Sequence, residues 1–238
     1  MSPVTLELLY ENGPCLVVNK PGGLLTQGPP GIDSLELRVK QFLKERDLKT
    51  GNIYLSVLHR LDRPVSGALI LCKHVRAARR VAEQFQRREI EKIYWALVEG
   101  QVAEKSGTWT DFMRKIPDVA KAERVEPDHP GAKQGVLHFR RLAEMPGRSL
   151  LEIRLETGRM HQIRLQAAVR GHAILGDHLY GNAATFGPAT DDPRGRWIAL
   201  HACRLRFRHP MTREWVAIDA PLPRPWWPQD QLQWFNAE

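Results

Sequence analysis

Short apolar runs broken by turn residues open the chain. Residues 4–10 and 15–19 read as two strands joined by the turn Glu11-Asn12-Gly13-Pro14. A Gly/Pro-rich loop, PGGLLTQGPPG, follows. Leu35, Val39, Phe42 and Leu43 then recur at helical spacing behind Asp33 or Ser34, either of which can cap. Residues 53–58 and the run Gly67 to Cys72 read as strands on either side of His59-Arg60-Leu61-Asp62. Pro64 and Gly67 mark a turn between them, which puts Asp62 on a loop at a sheet edge. Residues 75–88 predict a helix that buries Val75, Ala78, Ala82 and Phe85. Arg76, Arg80 and Arg87 share another side of it, either as a solvated basic face or as phosphate contacts. Residues 90–98 read as a strand.

From residue 107 the pattern is that of antiparallel sheet. Leu151, Ile153 and Leu155 alternate with Glu152, Arg154 and Glu156, so one face of that strand is buried. Residues 160–170 turn helical, 182–196 form a polar loop, and 197–209 and 215–219 return to strand. Strands outnumber helices and most neighbours are joined by turns. The fold class is therefore α+β with a largely antiparallel sheet, as a single domain over residues 1–238, with a core at about 8–219 and a tail at 220–238.

Charge changes the picture. Thirty-five Lys and Arg against 27 Asp and Glu leave a net +8, which favours a polyanionic partner, nucleic acid before membrane. Cys15, Cys72 and Cys203 lie far apart in sequence, with no CxxC pair, so neither a disulfide framework nor a zinc ribbon is indicated. No signal peptide or membrane-length apolar run is evident, and a cytoplasmic protein is expected. His172, His178 and Asp177 match no familiar ligand spacing, so no metal site is expected. Lys20-Pro21-Gly22-Gly23 lacks the glycine spacing of a P-loop. Arg204, Arg206 and Arg208 share one strand face, and either line an RNA cleft or solvate an open sheet. The tail PLPRPWWPQDQLQWF is read as clamping onto its own domain rather than stacking on bases.

Two segments carry the chemistry. HRLDRPVSG, residues 59–67, packs Arg60, Asp62 and Arg63 between two apolar strands. ETGRMHQIRLQAAVRGH, residues 156–172, breaks a strand and starts a helix bearing Arg164. A guanidinium paired with Asp62 would keep that carboxylate ionised, suited to nucleophilic attack or to stabilising a cationic sugar.

With these segments the chain resembles the RluA-type family of RNA pseudouridine synthases, whose signature is HRLDxxTSG. Residues 8–25, 90–100 (IEKIYWALVEG), 155–181 and 200–212 agree with that family's motifs in order and spacing. The resemblance implies a mixed, mostly antiparallel sheet crossed by a cleft. It makes Asp62 the essential aspartate and Arg60 the residue that enters the RNA stack vacated by the flipped uridine. Tyr94 becomes the ring that packs on the base near C5, and Arg164 the partner of the aspartate. His59, Arg63, Arg159, His161 and Gln162, which flank these positions, are expected to contact the RNA substrate. Val65 and Met160 stand where the family usually has Thr.

The resemblance further implies isomerisation without a metal, a redox cofactor or any other cofactor. The expected partner is a stem-loop of ribosomal or transfer RNA, read by a monomer with no obligate protein partner. The resemblance begins near Leu8, which leaves no room for the N-terminal RNA-binding module of many relatives. Two other readings compete: an RNA-binding domain without activity, and a nucleoside hydrolase acting through Asp62. Retention of all four charged and aromatic positions argues against the first, and product mass separates the second.

Overall fold

The elements run Glu7–Asn12 (β1), Cys15–Lys20 (β2), Leu35–Arg46 (α1), Ser56–Val57 (β3), Ser66–Cys72 (β4), Val75–Gln86 (α2), Glu91–Glu99 (β5), Ser106–Lys115 (β6), Ala122–Arg124 (β7), Lys133–Met145 (β8), Arg148–Leu155 (β9), Gln162–Ala168 (α3), Leu200–Arg208 (β10) and Trp215–Asp219 (β11). They come from a computed structural model that describes residues 6–223 and 226. The architecture is α+β with a mostly antiparallel sheet, as the residue pattern predicts. Among the described residues, no helix is long and apolar enough to cross a membrane.

Contacts divide the chain into two units. The first runs to Lys92 and adds Asp191–Gly195 and Ala202–Leu222; the second holds Ile93–Thr190, Arg196–His201 and the residues from Pro223. In the first unit β1-β2-β4-β10 is the strand order, with β3 on β4 and β11 on β10. Every residue of β2 and β4 is buried. Cys15, Val17, Ile70 and Cys72 join Ala77, Ala78 and Val81 of α2 with Leu205 and Phe207 in one core. Leu16, Val18, Leu69 and Leu71 alternate with these and are equally buried, so this strand pair is covered on both faces. Cys15 lies directly opposite Cys72, bringing together two free thiols that are 57 positions apart in sequence.

Three local expectations shift. Only Ser56 and Val57 pair as a strand, against Cys72 and Leu71, because β10 lies beside the other end of β4. There Gly67, at φ +121°, sits so near Ala202 that a Cβ would come within 2.4 Å of its carbonyl oxygen. The buried stripe of α2 is Ala77, Ala78, Val81 and Gln84, while Val75 is exposed. A polar residue draws the helix round: the Gln84 amide donates to the Arg208 carbonyl and accepts from the Arg208 N–H, both at 2.8 Å. Arg80 also leaves the basic face, donating to the carbonyl of Pro210. By contrast α1 starts at Ser34 as expected, its hydroxyl accepting from Leu37 N–H, with Lys44 and Arg46 at the negative end of the helix dipole.

The second unit orders its strands β5-β9-β8-β6-β7, with every neighbouring pair antiparallel. Ile153 of β9 is buried between half-buried Glu152 and exposed Arg154, the alternation read from sequence, but Leu150 is buried beside Leu151 and Leu155 is only half-buried. Helix α3 seats Leu165 against Met113, Ala122 and Tyr180. Of the tail, Trp226 is described: it is 2% exposed and meets Phe186 and His201 edge to face. Residues 224, 225 and 227–238 of that stretch lie outside the described residues.

Candidate active site

Asp62 stands half-buried on the loop between β3 and β4, whose backbone is tied at Leu61, Asp62, Arg63 and Val65. His59 Nε2 accepts from Ile70 N–H at 3.1 Å, and its ring stacks on Phe85 at 5.0 Å. The hydroxyl of Thr26, itself buried, donates to the Leu61 carbonyl at 2.8 Å and accepts from Leu61 N–H at 3.2 Å. Val65 N–H closes a turn onto the Asp62 carbonyl at 3.0 Å. Lys20 Nζ donates to the Arg63 carbonyl at 3.1 Å. These bonds fix the backbone on either side of Asp62.

Lys20 is the least expected member of this group. It is fully buried, at 0% exposure, at the end of β2. Its ammonium has three protons, and three main-chain carbonyls take them: Pro21 at 2.8 Å, Leu24 at 2.7 Å and Arg63 at 3.1 Å. Burial pulls its pKa down to about 7, while the Asp62 carboxylate favours the charged form and Arg63 opposes it. The same side chain thus ties the Gly/Pro-rich loop to the Asp62 loop and sets a positive charge near the carboxylate.

His59 is held neutral. Burial first, and the Lys92 charge second, lower its pKa to about 3. Since Nε2 accepts the Ile70 N–H, the ring proton belongs on Nδ1. What the structure shows for His59 is a strut between the loop and β4. Arg60 is exposed and Arg63 half-buried, and among the described residues Arg60 has no side-chain ion pair.

In the second unit, Tyr94 lies on β5 opposite Ile153 and is 7% exposed; Trp95, its neighbour on the other face, is half-buried. Arg164 is 5% exposed on α3. Its Nε and Nη2 grip Asp177 Oδ2 and Oδ1 at 2.6 and 2.8 Å, and its guanidinium carbon lies 5.2 Å from the Tyr180 ring centre. Asp177 is 1% exposed, so the pair is fully desolvated and fixes the arginine's plane. Helix α3 begins without a hydroxyl cap at Met160 or His161. His161 takes a left-handed backbone at φ 51°, and its ring meets the Tyr180 hydroxyl at 3.0 Å. Gln162 instead braces the segment before the helix: its Oε1 accepts from Thr157 Oγ1 and Arg159 N–H, and its Nε2 donates to the Val136 carbonyl. Arg159 Nε donates to the Gln134 carbonyl.

Sequence reading therefore found the residues on these two loops but missed three that hold them. Lys20 precedes glycines that do not spell a phosphate loop, Thr26 lies in the Gly/Pro-rich loop, and Asp177 sits among histidines whose spacing fits no metal site. The signal for Lys20 was available: a lysine ending an all-apolar strand has to find acceptors. His172, beside Asp177 in that weighed cluster, meets the Glu99 carbonyl instead.

The fold and the tied loop define a mostly antiparallel α+β protein that presents an aspartate between two strands. The chain belongs to the RNA pseudouridylate synthase family, whose model matches residues 14–169. It is 33% identical over 233 residues to the tRNA pseudouridine synthase C of Haemophilus ducreyi, covering 93% of each chain. It is 32% identical to the ribosomal large subunit pseudouridine synthase D of Neisseria meningitidis, covering 93% of this chain and 59% of that one. Among solved structures, the human RNA pseudouridylate synthase domain containing 4 protein shares the fold, with a TM-score of 0.75 over 92% of this chain and 90% of that one at 23% identity.

Proposed function

We propose that the protein isomerises uridine to pseudouridine in a structured RNA, with Asp62 as the catalytic carboxylate and the whole chain acting as one catalytic domain. The observation that carries this reading is the Asp62 loop, tied through His59, Thr26, Val65 and Lys20 in a chain of this family. The reaction breaks the uracil N1–C1′ bond, turns the base and joins C5 to C1′. The proton lost from C5 is balanced by one gained at N1, so mass does not change and no electrons are exchanged.

Residue roles follow the chemistry. Arg60, exposed on the loop, fills the gap left by the flipped uridine, at a flipping cost of a few kcal/mol. Tyr94 offers a ring to pack on the base and a hydroxyl that relays the C5 proton. Arg164, its plane set by Asp177, serves as the basic residue that the family pairs with its aspartate. Arg63, Arg159 and His161 contact the RNA, and His59 and Gln162 support the loops that do so. The substrate is a stem-loop of ribosomal or transfer RNA, the two classes named for the Neisseria and Haemophilus relatives.

Asp62→Asn is the direct test, being nearly isosteric. Carbodiimide labelling, which marks pseudouridine where mass alone cannot, identifies the site in RNA from cells with and without the gene, and a single-turnover reaction on that RNA follows. The variant is expected to form no pseudouridine while binding the RNA within several-fold of wild type. Substantial product from Asp62→Asn removes this residue from catalysis, and release of free uracil by wild type makes the protein a hydrolase.

A further inference from the structure

Strands β10 and β11 pair so that one face of their hairpin is entirely exposed. Leu205 and Phe207 point into the core, with Val216 and Ile218 packed beside them. The alternate positions, Arg204, Arg206, Arg208, Trp215, Ala217 and Asp219, all face outward. Trp215 is 46% exposed, and two guanidiniums lie over its indole, that of Arg206 at 4.4 Å and that of Arg208 at 4.8 Å from the ring centroid. Arg204 is spent on Asp219. Arg206 has a loose, half-exposed pairing with Glu91 at 3.7 Å, and Arg208 has no carboxylate partner among the described residues.

We propose that this Arg206-Arg208-Trp215 face is a docking surface for a segment of the substrate RNA other than the uridine being modified; this rests on the reading that the protein acts on RNA. The chemistry fits a nucleic-acid strand better than a protein or lipid partner. A guanidinium stacked on indole keeps its planar N–H edge directed outward, the edge that grips phosphate oxygens in pairs. The indole beside it is a platform on which any base can stack. An apolar protein partner would find only one aromatic side chain and no aliphatic patch on this face. The 3.7 Å pairing with Glu91 is a weak surface contact that a phosphate displaces. The sequence leaves these arginines either in an RNA cleft or merely solvated, and the tryptophan clasp favours the RNA.

The test uses the full chain and two fluorescent RNA probes, a uridine-containing stem-loop with and without a single-stranded flank, with polyglutamate as an acidic competitor. Arg206→Glu with Arg208→Glu is expected to raise the Kd for the flanked RNA at least about ten-fold. It should also make the slope of log K against log salt shallower by about 1.4 to 1.8, the contribution of two phosphates. Trp215→Ala is expected to weaken the flanked probe by roughly five- to a hundred-fold with little change in slope. Arg206→Lys with Arg208→Lys should keep the slope, since the charges remain. All these positions are solvent-facing, and an unchanged Tm confirms folding. Unaltered affinity and slope in the glutamate variant or in Trp215→Ala overturns the proposal, as does polyglutamate competing as well as RNA. If wild type binds RNA through this face but forms no pseudouridine, the catalytic reading fails and the docking surface stands.

Discussion

An ammonium ion enclosed in protein is stable only while every proton on it has an acceptor, and Lys20 meets that condition with three carbonyls from two loops. Lys20→Met keeps the stem and removes the donors, leaving buried carbonyls unsatisfied while relieving a buried charge. The net effect is a loss of about 2 kcal/mol of stability, measured by urea unfolding at pH 7. Catalysis should fall further than stability alone explains, because Arg63 and the Asp62 loop lose their tie. The folded pKa near 7 lies below the ordinary lysine value of about 10.4, so the unfolded chain binds more protons between those pH values. Lys20 therefore adds a rise in stability as pH climbs from 7 towards 10, and Lys20→Met should lack that rise. A variant with wild-type stability at pH 7 and an unchanged pH profile would show that the three contacts contribute nothing.

At the scale of elements, the loop from Leu58 to Val65 behaves as part of the sheet. His59 links it to β4 through the Ile70 N–H, and a proton on Nε2 would end that bond. With a folded pKa near 3 against about 6.5 when unfolded, protons bind the unfolded chain preferentially in that window. Stability from His59 is complete above pH 6.5 and is lost as pH falls towards 3. Thermal unfolding between pH 7 and 4 should show a steeper decline for wild type than for His59→Gln, which keeps an acceptor but does not titrate. Equal slopes would mean that the imidazole does not sense the fold. The helices differ in what sets them. Helix α1 follows its apolar stripe, α2 is turned by the Gln84 hydrogen bonds, and α3 follows the left-handed His161, with Gln162 bracing the segment before it.

For the whole molecule, the net charge of +8 would give the proposed interaction with RNA its long reach. Neutralising about four to six phosphates predicts a slope of log K against log salt between roughly −3 and −5. Fluorescence anisotropy across a salt series measures it, and a flat response would give the positive charge some purpose other than RNA. Many of the arginines are engaged in the fold, with Arg46 on Glu11, Arg164 on Asp177 and Arg170 on Asp111. Ion pairing takes out cations and anions in equal number and leaves the net charge unchanged, so the slope is set by how many free cations lie along the RNA and not by the total.

The sequence by itself determined the class of fold, the family and the two loops that matter, because each of these is written locally. Alternation in β9, the cap at Ser34 and the HRLD and TGRMHQIR segments depend on neighbours within a few residues. Tertiary structure alone decided who holds those loops. Lys20 meets Arg63 from 43 positions away, Thr26 meets Leu61 from 35, and Gln84 meets Arg208 from 124. Such partners are chosen by which buried polar groups fall within hydrogen-bonding distance once the strands have paired, and one-dimensional spacing carries no record of that distance. Asp177 is the plainest case: thirteen residues from Arg164, it looks like a loose acidic neighbour of two histidines until burial leaves it one cation to answer.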